Sequence, residues 1–125
     1  MSNDASAARS ARMRWSRRAA AAAVVFAALG DATRLELVGK LGDGGQRSIT
    51  ELGQDSALTR QAITKHLRVL EEAGVVRSRR QGRESLFALN PKSIVGLQDY
   101  LALVSGQWDD ALSRLKRLVE QPHAV

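Results

Sequence analysis

The sequence predicts a single, mainly α-helical domain carrying one small β-hairpin. Three observations carry that prediction. The chain has 125 residues, near the usual size of one domain and too short for two well-buried cores. It is 44% hydrophobic but only 4% aromatic, so its interior must be mostly Leu, Val, Ile and Ala. Apolar residues recur at helical spacing through much of the chain, whereas residues 75–80 and 84–89 read as two strands around the tip Gln81-Gly82-Arg83.

Taken in chain order, residues 1–14 are dominated by Ser, Ala, Asn and Arg and show no apolar period. They read as a flexible basic arm over residues 1–15, with Met13 as a second candidate start. Ser16-Arg17-Arg18 before an Ala-rich run imitates an export signal. That run leads straight into a second helix with no small-residue cleavage site, so a first helix over residues 17–29, ended by Gly30, is the better reading. Asp31 caps the next helix, with Leu35, Leu37, Val38 and Leu41 as its buried positions and Gly42 beyond its end.

Residues 43–47 read as a turn. Thr50 is placed to cap a short helix through Gln54, and residues 55–58 form a tight connection. Thr59 then caps a helix over residues 60–73, with Gly74 as its C-terminal glycine. After the hairpin, Asn90-Pro91 pairs an N-cap with proline at the first helical position, and a long helix follows to about Gln121. The domain therefore spans residues 16–121, with a tail over 122–125.

The net charge of +6 is unevenly placed. Residues 1–18 hold five arginines and one aspartate, and residues 60–83 hold seven basic groups against two glutamates. Charge runs are commonly solvated faces. A single-sign cluster within a folded region is harder to explain so, because like charges repel unless a partner neutralises them.

On the helix 60–73, Ile63, Leu67 and Leu70 form a core stripe, and Arg60, Gln61, Thr64, Lys65 and Arg68 share the opposite face. A helix that lies in a DNA major groove needs such side chains. Arg bridges guanine O6 and N7, Gln pairs with adenine, and a Thr methyl meets thymine. An ordinary amphipathic helix with a polar outside fits the periodicity equally well. The hairpin tilts the balance. Arg77, Arg79, Arg80 and Arg83 crowd a two-strand ribbon, while Phe87 and Leu89 are placed to pack inward. A free ribbon is marginally stable, so it must lie on the body with its arginines outward, where they suit phosphate or minor-groove contact. Charge guarding of an edge strand rarely takes four arginines against the single acid Glu84. The whole reads as a winged helix-turn-helix.

Two stretches carry a family resemblance. Leu29-Gly30-Asp31-Ala32-Thr33-Arg34-Leu35-Glu36-Leu37-Val38 is similar to the second-helix opening of the ArsR/SmtB-type bacterial transcriptional repressors. Leu58-Thr59-Arg60-Gln61-Ala62-Ile63-Thr64-Lys65-His66-Leu67-Arg68-Val69-Leu70-Glu71-Glu72-Ala73-Gly74-Val75-Val76 is close to their recognition helix. Residues 79–83 and 87–89 resemble their wing, so the resemblance covers roughly residues 25–90. It implies that Arg60, Gln61, Thr64, Lys65 and Arg68 face an operator, that Arg79, Arg80 and Arg83 make wing contacts, and that His66 is structural.

The chain departs from the thiol-sensing members. It contains no cysteine, which removes disulfides, thiolate nucleophiles and thiolate metal sites. Residues 50–55, where sensor cysteines lie in those members, hold no thiol. The last helix offers Asp99, Asp109, Asp110 and Glu120, with His123 only in the tail, a poor set for zinc. Neither a metal nor a cofactor is expected, and no effector follows from the sequence.

In the last helix Ile94, Leu97, Leu101, Val104, Trp108, Ala111, Leu115 and Leu118 recur at alternating spacings of three and four, with Tyr100, Leu103, Leu112 and Val119 as a second edge. Such a helix is about 45 Å long, longer than so small a body is wide. Half of the stripe can cover the domain's own core, and the far end needs another partner. A symmetric copy is the economical choice, with Phe26 of the first helix beside Leu97, Leu101, Val104, Trp108, Leu112 and Leu115. Trp108 reads as the anchor of that interface or, alternatively, as a core tryptophan. Trp108-Asp109-Asp110-Ala111-Leu112 also resembles the cysteine-free subgroup.

The sequence thus points to a homodimeric, sequence-specific regulator, most simply a repressor on inverted-repeat double-stranded DNA. The longest apolar run, residues 19–29, is too short to cross a bilayer, so the expected location is the cytoplasm, with no membrane partner. The alternative is a nucleoid-associated DNA binder without sequence preference. A single-strand binder would need stacking aromatics on its basic face, and residues 60–83 have none. No constellation of catalytic groups supports an enzyme.

Overall fold

The computed structural model describes residues 2–120. The elements are α1 (Ser2–Leu29), α2 (Ala32–Lys40), β1 (Arg47–Ser48), α3 (Ile49–Leu52), α4 (Arg60–Glu72), β2 (Val76–Gln81), β3 (Glu84–Leu89) and α5 (Pro91–Glu120). The expected order of helices and hairpin is observed. The tail at 122–125, with His123, lies outside the described residues.

One core lies where α1, α2, α3, α4 and the sheet meet. Leu41, Leu52, Leu67, Leu70, Val75 and Val76 are fully buried in it, with Ala28, Leu37, Ile63 and Phe87 around them. The α4 stripe is therefore the expected one. The α2 face is narrower than expected. Leu37 and Leu41 are buried and Val38 is half-buried, but Leu35 is exposed. Leu35 sits about 200° around the helix from Leu37, and a nine-residue helix against one core buries a single face.

Two local readings are corrected. The short helix α3 is capped by Ser48, not Thr50. The Ser48 hydroxyl accepts from the Glu51 amide at 3.2 Å, and the Glu51 carboxylate accepts from the Ser48 amide at 3.0 Å. This reciprocal pair satisfies two amides that the first turn leaves free, so it outcompetes a cap two residues later. The preceding segment is not simply a turn either. Arg47 and Ser48 form β1, paired antiparallel with β3 through Arg47↔Phe87 and Ser48↔Leu86, which gives a three-stranded sheet of order β1-β3-β2.

The largest departure is at the N-terminus. Residues read as a flexible arm over 1–15, with a helix only from Arg17, are helical from Ser2 in one continuous α1. The segment between Ser2 and Leu29 contains neither Gly nor Pro and is rich in Ala and Arg, both strong helix formers. Propensity, not burial, sets the N-terminal part of this helix, because residues 4–14 are all exposed. Trp15, which the sequence left in the arm, packs on Tyr100 of α5 with ring centroids 5.7 Å apart, and Phe26 meets the same ring edge-on at 6.3 Å.

The hairpin tip is one residue shorter than the expected Gln81-Gly82-Arg83, because Gln81 still pairs with Glu84 and only Gly82-Arg83 connect the strands. Gly74 ends α4 with φ 78° and Gly82 opens the tip with φ 63°, both left-handed values that suit glycine. The start of α5 is tied down: the Lys92 amide donates to Asn90 Oδ1 at 3.2 Å, and Asn90 Nδ2 donates to the Gly74 carbonyl at 2.9 Å. The Ser93 hydroxyl donates to the same carbonyl. The helix that leaves the body is thereby fastened to the end of α4. Among the described residues, no helix is long and apolar enough to cross a membrane.

Candidate nucleic-acid interface

The helix-turn-helix is α3, the turn over residues 53–59, and α4. Thr59 caps α4, its Oγ1 accepting from the Ala62 amide at 3.1 Å. Gly53 lets the two helices close on each other: a Cβ there would lie 3.0 Å from Ile63 Cδ1 and 3.3 Å from the Ile49 carbonyl. Lys40 completes the turn by donating to the carbonyls of Leu52 at 3.0 Å and Gln54 at 3.3 Å. A cation at the C-terminal end of α3 meets carbonyls that lack helical partners and the negative end of the helix dipole.

Arg60, Gln61, Lys65 and Arg68 are exposed on α4, and Thr64 is half-buried. Their roles differ. Arg60 Nη1 donates to Thr50 Oγ1 at 3.1 Å, which holds the guanidinium over α3. The Thr64 hydroxyl donates to the Arg60 carbonyl at 2.8 Å, so its proton is spent inside the helix. Gln61, Lys65 and Arg68 extend from the helix.

The four wing arginines are exposed but do not share a face. Residues opposite each other in an antiparallel pair lie on one side. Ser78 opposes the buried Phe87 and Arg80 opposes Ser85, so Arg80 is on the side of the body. Arg77 and Arg79 oppose Ala88 and Leu86 on the other side, and Arg83 is at the tip. The Ser78 hydroxyl bonds the Glu71 carboxylate, which docks the wing against the C-terminal end of α4. Arg79 Nη2 donates to the amide oxygens of Gln46 at 2.9 Å and Gln81 at 3.3 Å. Both acceptors are neutral, so the positive charge is undiminished.

Beneath this surface, Arg34 Nη1 lies 3.3 Å from His66 Nδ1, and Arg34 Nε donates to the Ala28 carbonyl of α1. Asp31 Oδ2 accepts from the Arg34 amide at 3.0 Å and lies 3.8 Å from His66 Nδ1. The Arg34 amide, aided by the charges of Arg34 and His66, holds the Asp31 carboxyl below the usual carboxylate range. His66 thus links α4 to α2 and α1, the position of a structural residue. The sequence left Lys40, Thr50 and Gln46 out of the site. None had a local signal: Lys40 ends α2 and reaches acceptors 12 and 14 residues farther along the chain.

The second expected surface is on α5, which has no buried residue along its 30 positions. Ile94, Leu97, Tyr100 and Val104 are half-buried. An open groove of about 440 Å³ remains between α1 and α5, lined by Ala22, Val25, Gly96, Leu97 and Tyr100 among others. Farther along, Leu101 is 48% exposed, Trp108 64%, Leu112 57% and Leu115 56%. Trp108 is therefore not a core tryptophan of the protomer, and Phe26 remains 39% exposed beside Tyr100.

The matched family model, described as a helix-turn-helix domain, covers residues 29–79. YuzN, an HTH-type transcriptional regulator of Bacillus subtilis, is 38% identical over 79 residues, which are 58% of this chain and 86% of YuzN. The solved structure of an ArsR-like transcriptional regulator from Rhodococcus sp. RHA1 superposes with a TM-score of 0.70 at 34% identity, covering 82% of this chain and 96% of that one.

The chain belongs to the ArsR-type winged helix-turn-helix transcriptional regulators.

This ArsR-type protein is a DNA-binding regulator of transcription rather than an enzyme, and its cysteine-free sequence places it in the subgroup without sensor thiols. Among other solved structures, the transcriptional repressor BigR from Xylella fastidiosa is 29% identical with a TM-score of 0.58, covering 75% of this chain and 93% of BigR.

Proposed function

We propose that this ArsR-type regulator is a cytoplasmic homodimeric repressor that reads an inverted-repeat operator. In this reading Gln61, Thr64, Lys65 and Arg68 enter the major groove, Arg60 meets the adjacent backbone, and Arg77, Arg79, Arg80 and Arg83 serve the flanking phosphates or minor groove. Residues 16–121 form the working unit. Phe26, Leu97, Leu101, Val104, Trp108, Leu112 and Leu115 bury against their copies across a dyad.

The observation that carries the reading is α5. A 30-residue helix with an apolar stripe and no buried position is incomplete in one protomer, since exposed apolar patches of this extent mark interaction sites. A two-fold partner completes it and sets two α4 helices about one DNA turn, roughly 34 Å, apart. The repressor name borne by BigR supports the direction of control.

The test combines sedimentation with selection of bound sequences from random duplex DNA. The expected result is a dimer that enriches a palindromic consensus. A lone protomer, or binding with no enrichment, overturns the proposal, and the latter outcome favours a nucleoid-type binder.

A further inference from the structure

The N-terminal part of α1 lies outside the matched helix-turn-helix residues and carries five arginines, Arg9, Arg12, Arg14, Arg17 and Arg18, against the single acid Asp4. Since successive residues turn by about 100°, these arginines spread over about two-thirds of the helix circumference, and the remaining sector holds Asp4, Ala8, Ala11 and Trp15. Arg9 and Arg12, Arg14 and Arg17, and Arg14 and Arg18 are like-charge neighbours one turn apart, an arrangement that opposes helix formation. Among the described residues, every ion pair lies elsewhere. Residues 4–14 are exposed throughout, and Trp15 on Tyr100 is the point where the helix joins the body. From that anchor back to Ser2 the helix reaches about 20 Å into solvent.

We infer that residues 2–14 form a second DNA-binding element, a cationic helix that contacts duplex phosphates without reading sequence. A polar helix with few compensating pairs needs an outside partner or is unstable alone. A polyanion supplies the missing counter-charge along its whole length. A membrane surface fits less well, because interfacial helices need a face of large apolar side chains, and the sector free of arginine holds only Asp4, Ala8 and Ala11 before Trp15. Duplex DNA is favoured over other polyanions by tethering. Once α4 and the wing hold an operator, the attached arm meets neighbouring phosphates at an effective concentration near millimolar. The inference rests on the DNA-binding reading of the previous subsection.

The test compares the full chain with the variant Arg9→Gln/Arg12→Gln/Arg14→Gln. Their binding to the selected consensus and to random duplex is measured over a range of salt concentrations. Glutamine keeps helix propensity, and an unchanged thermal midpoint confirms that the body is intact. The slope of log K against log salt should become less negative by about 0.9 for each arginine that meets a phosphate, between about one and about three units in all. The loss should be equal on both duplexes, and Arg9→Lys/Arg12→Lys/Arg14→Lys should restore the slope. An unchanged slope in a variant that still binds its consensus overturns this inference alone. So does loss confined to the consensus, a shift in dimer mass, or capture by vesicles of phosphatidylglycerol with the DNA slope intact. A parent chain that binds no DNA overturns both readings.

Discussion

Gln61 occupies the second position of α4, exposed beside the Thr59 cap, where the first turn of a groove-bound helix meets base edges. Gln61→Ala should cost roughly 1–3 kcal/mol on the cognate site and little on random duplex. Equal losses on both, measured by competition binding, would remove direct readout from this residue. Arg80 belongs to the other class of contact. Arg80→Ala should weaken all duplexes alike and reduce the salt slope by about one unit. Arg77, at the base of β2 and on the opposite face, should change the slope by less than half as much, a contrast that tests the division of the wing. At this scale the sequence was informative about which side chains are exposed, because the helical period that buries Ile63, Leu67 and Leu70 also assigns the face of Gln61, Lys65 and Arg68. It was silent on tethers. That Thr50 holds Arg60 and Gln46 holds Arg79 depends on chain segments 10 and 33 residues away, a separation no local pattern encodes.

Elements with strong terminal chemistry were legible: Thr59 and Gly74 bound α4, and Asn90-Pro91 opens α5. The short ones were not. Strand β1 is two residues long and exists only because β3 offers it an edge. Helix α3, with four residues, is too short to stand by propensity, so its cap decides where it begins. Ser48→Ala should therefore destabilise the domain by about 1 kcal/mol, read as a lowered denaturant midpoint. The same motif predicts a pH dependence. The Ser48 amide holds the Glu51 carboxyl below its ordinary range, so the folded pKa is depressed. Its stabilising share is complete above the unfolded value and fades as pH falls from about 5 downward. Glu51→Gln should flatten that part of an acid titration followed by circular dichroism. An unchanged titration would deny the cap this role. Helix α1 was misjudged for the opposite reason, since a segment without an apolar period still follows its backbone preference when Ala and Arg dominate it.

At the scale of the molecule, the recognition helix and the two proposed dyad helices are joined through two backbone carbonyls. Gly74 closes α4 and accepts hydrogen bonds from Asn90 and Ser93 at the head of α5, while Ala28 of α1 accepts from Arg34 beside His66 of α4. The two helices proposed to face the dyad are therefore fastened to the recognition helix at its middle and just past its C-terminal end. In the proposed dimer the separation of the two α4 helices would follow the angle at which α5 meets its copy. A dimer built this way binds two half-sites as one ligand, and the second half-site is reached at an effective concentration set by the body rather than by the bulk solution. Leu112→Glu places a carboxylate on the exposed stripe where the protomer itself buries nothing. The folded protomer should tolerate it, so circular dichroism at low protein concentration should match the parent. Sedimentation should show a single protomer, and affinity for the two-half-site operator should fall by about 10²-fold or more while binding to an isolated half-site is unchanged. A Leu112→Glu protein that remains dimeric with full operator affinity would move the dyad off α5.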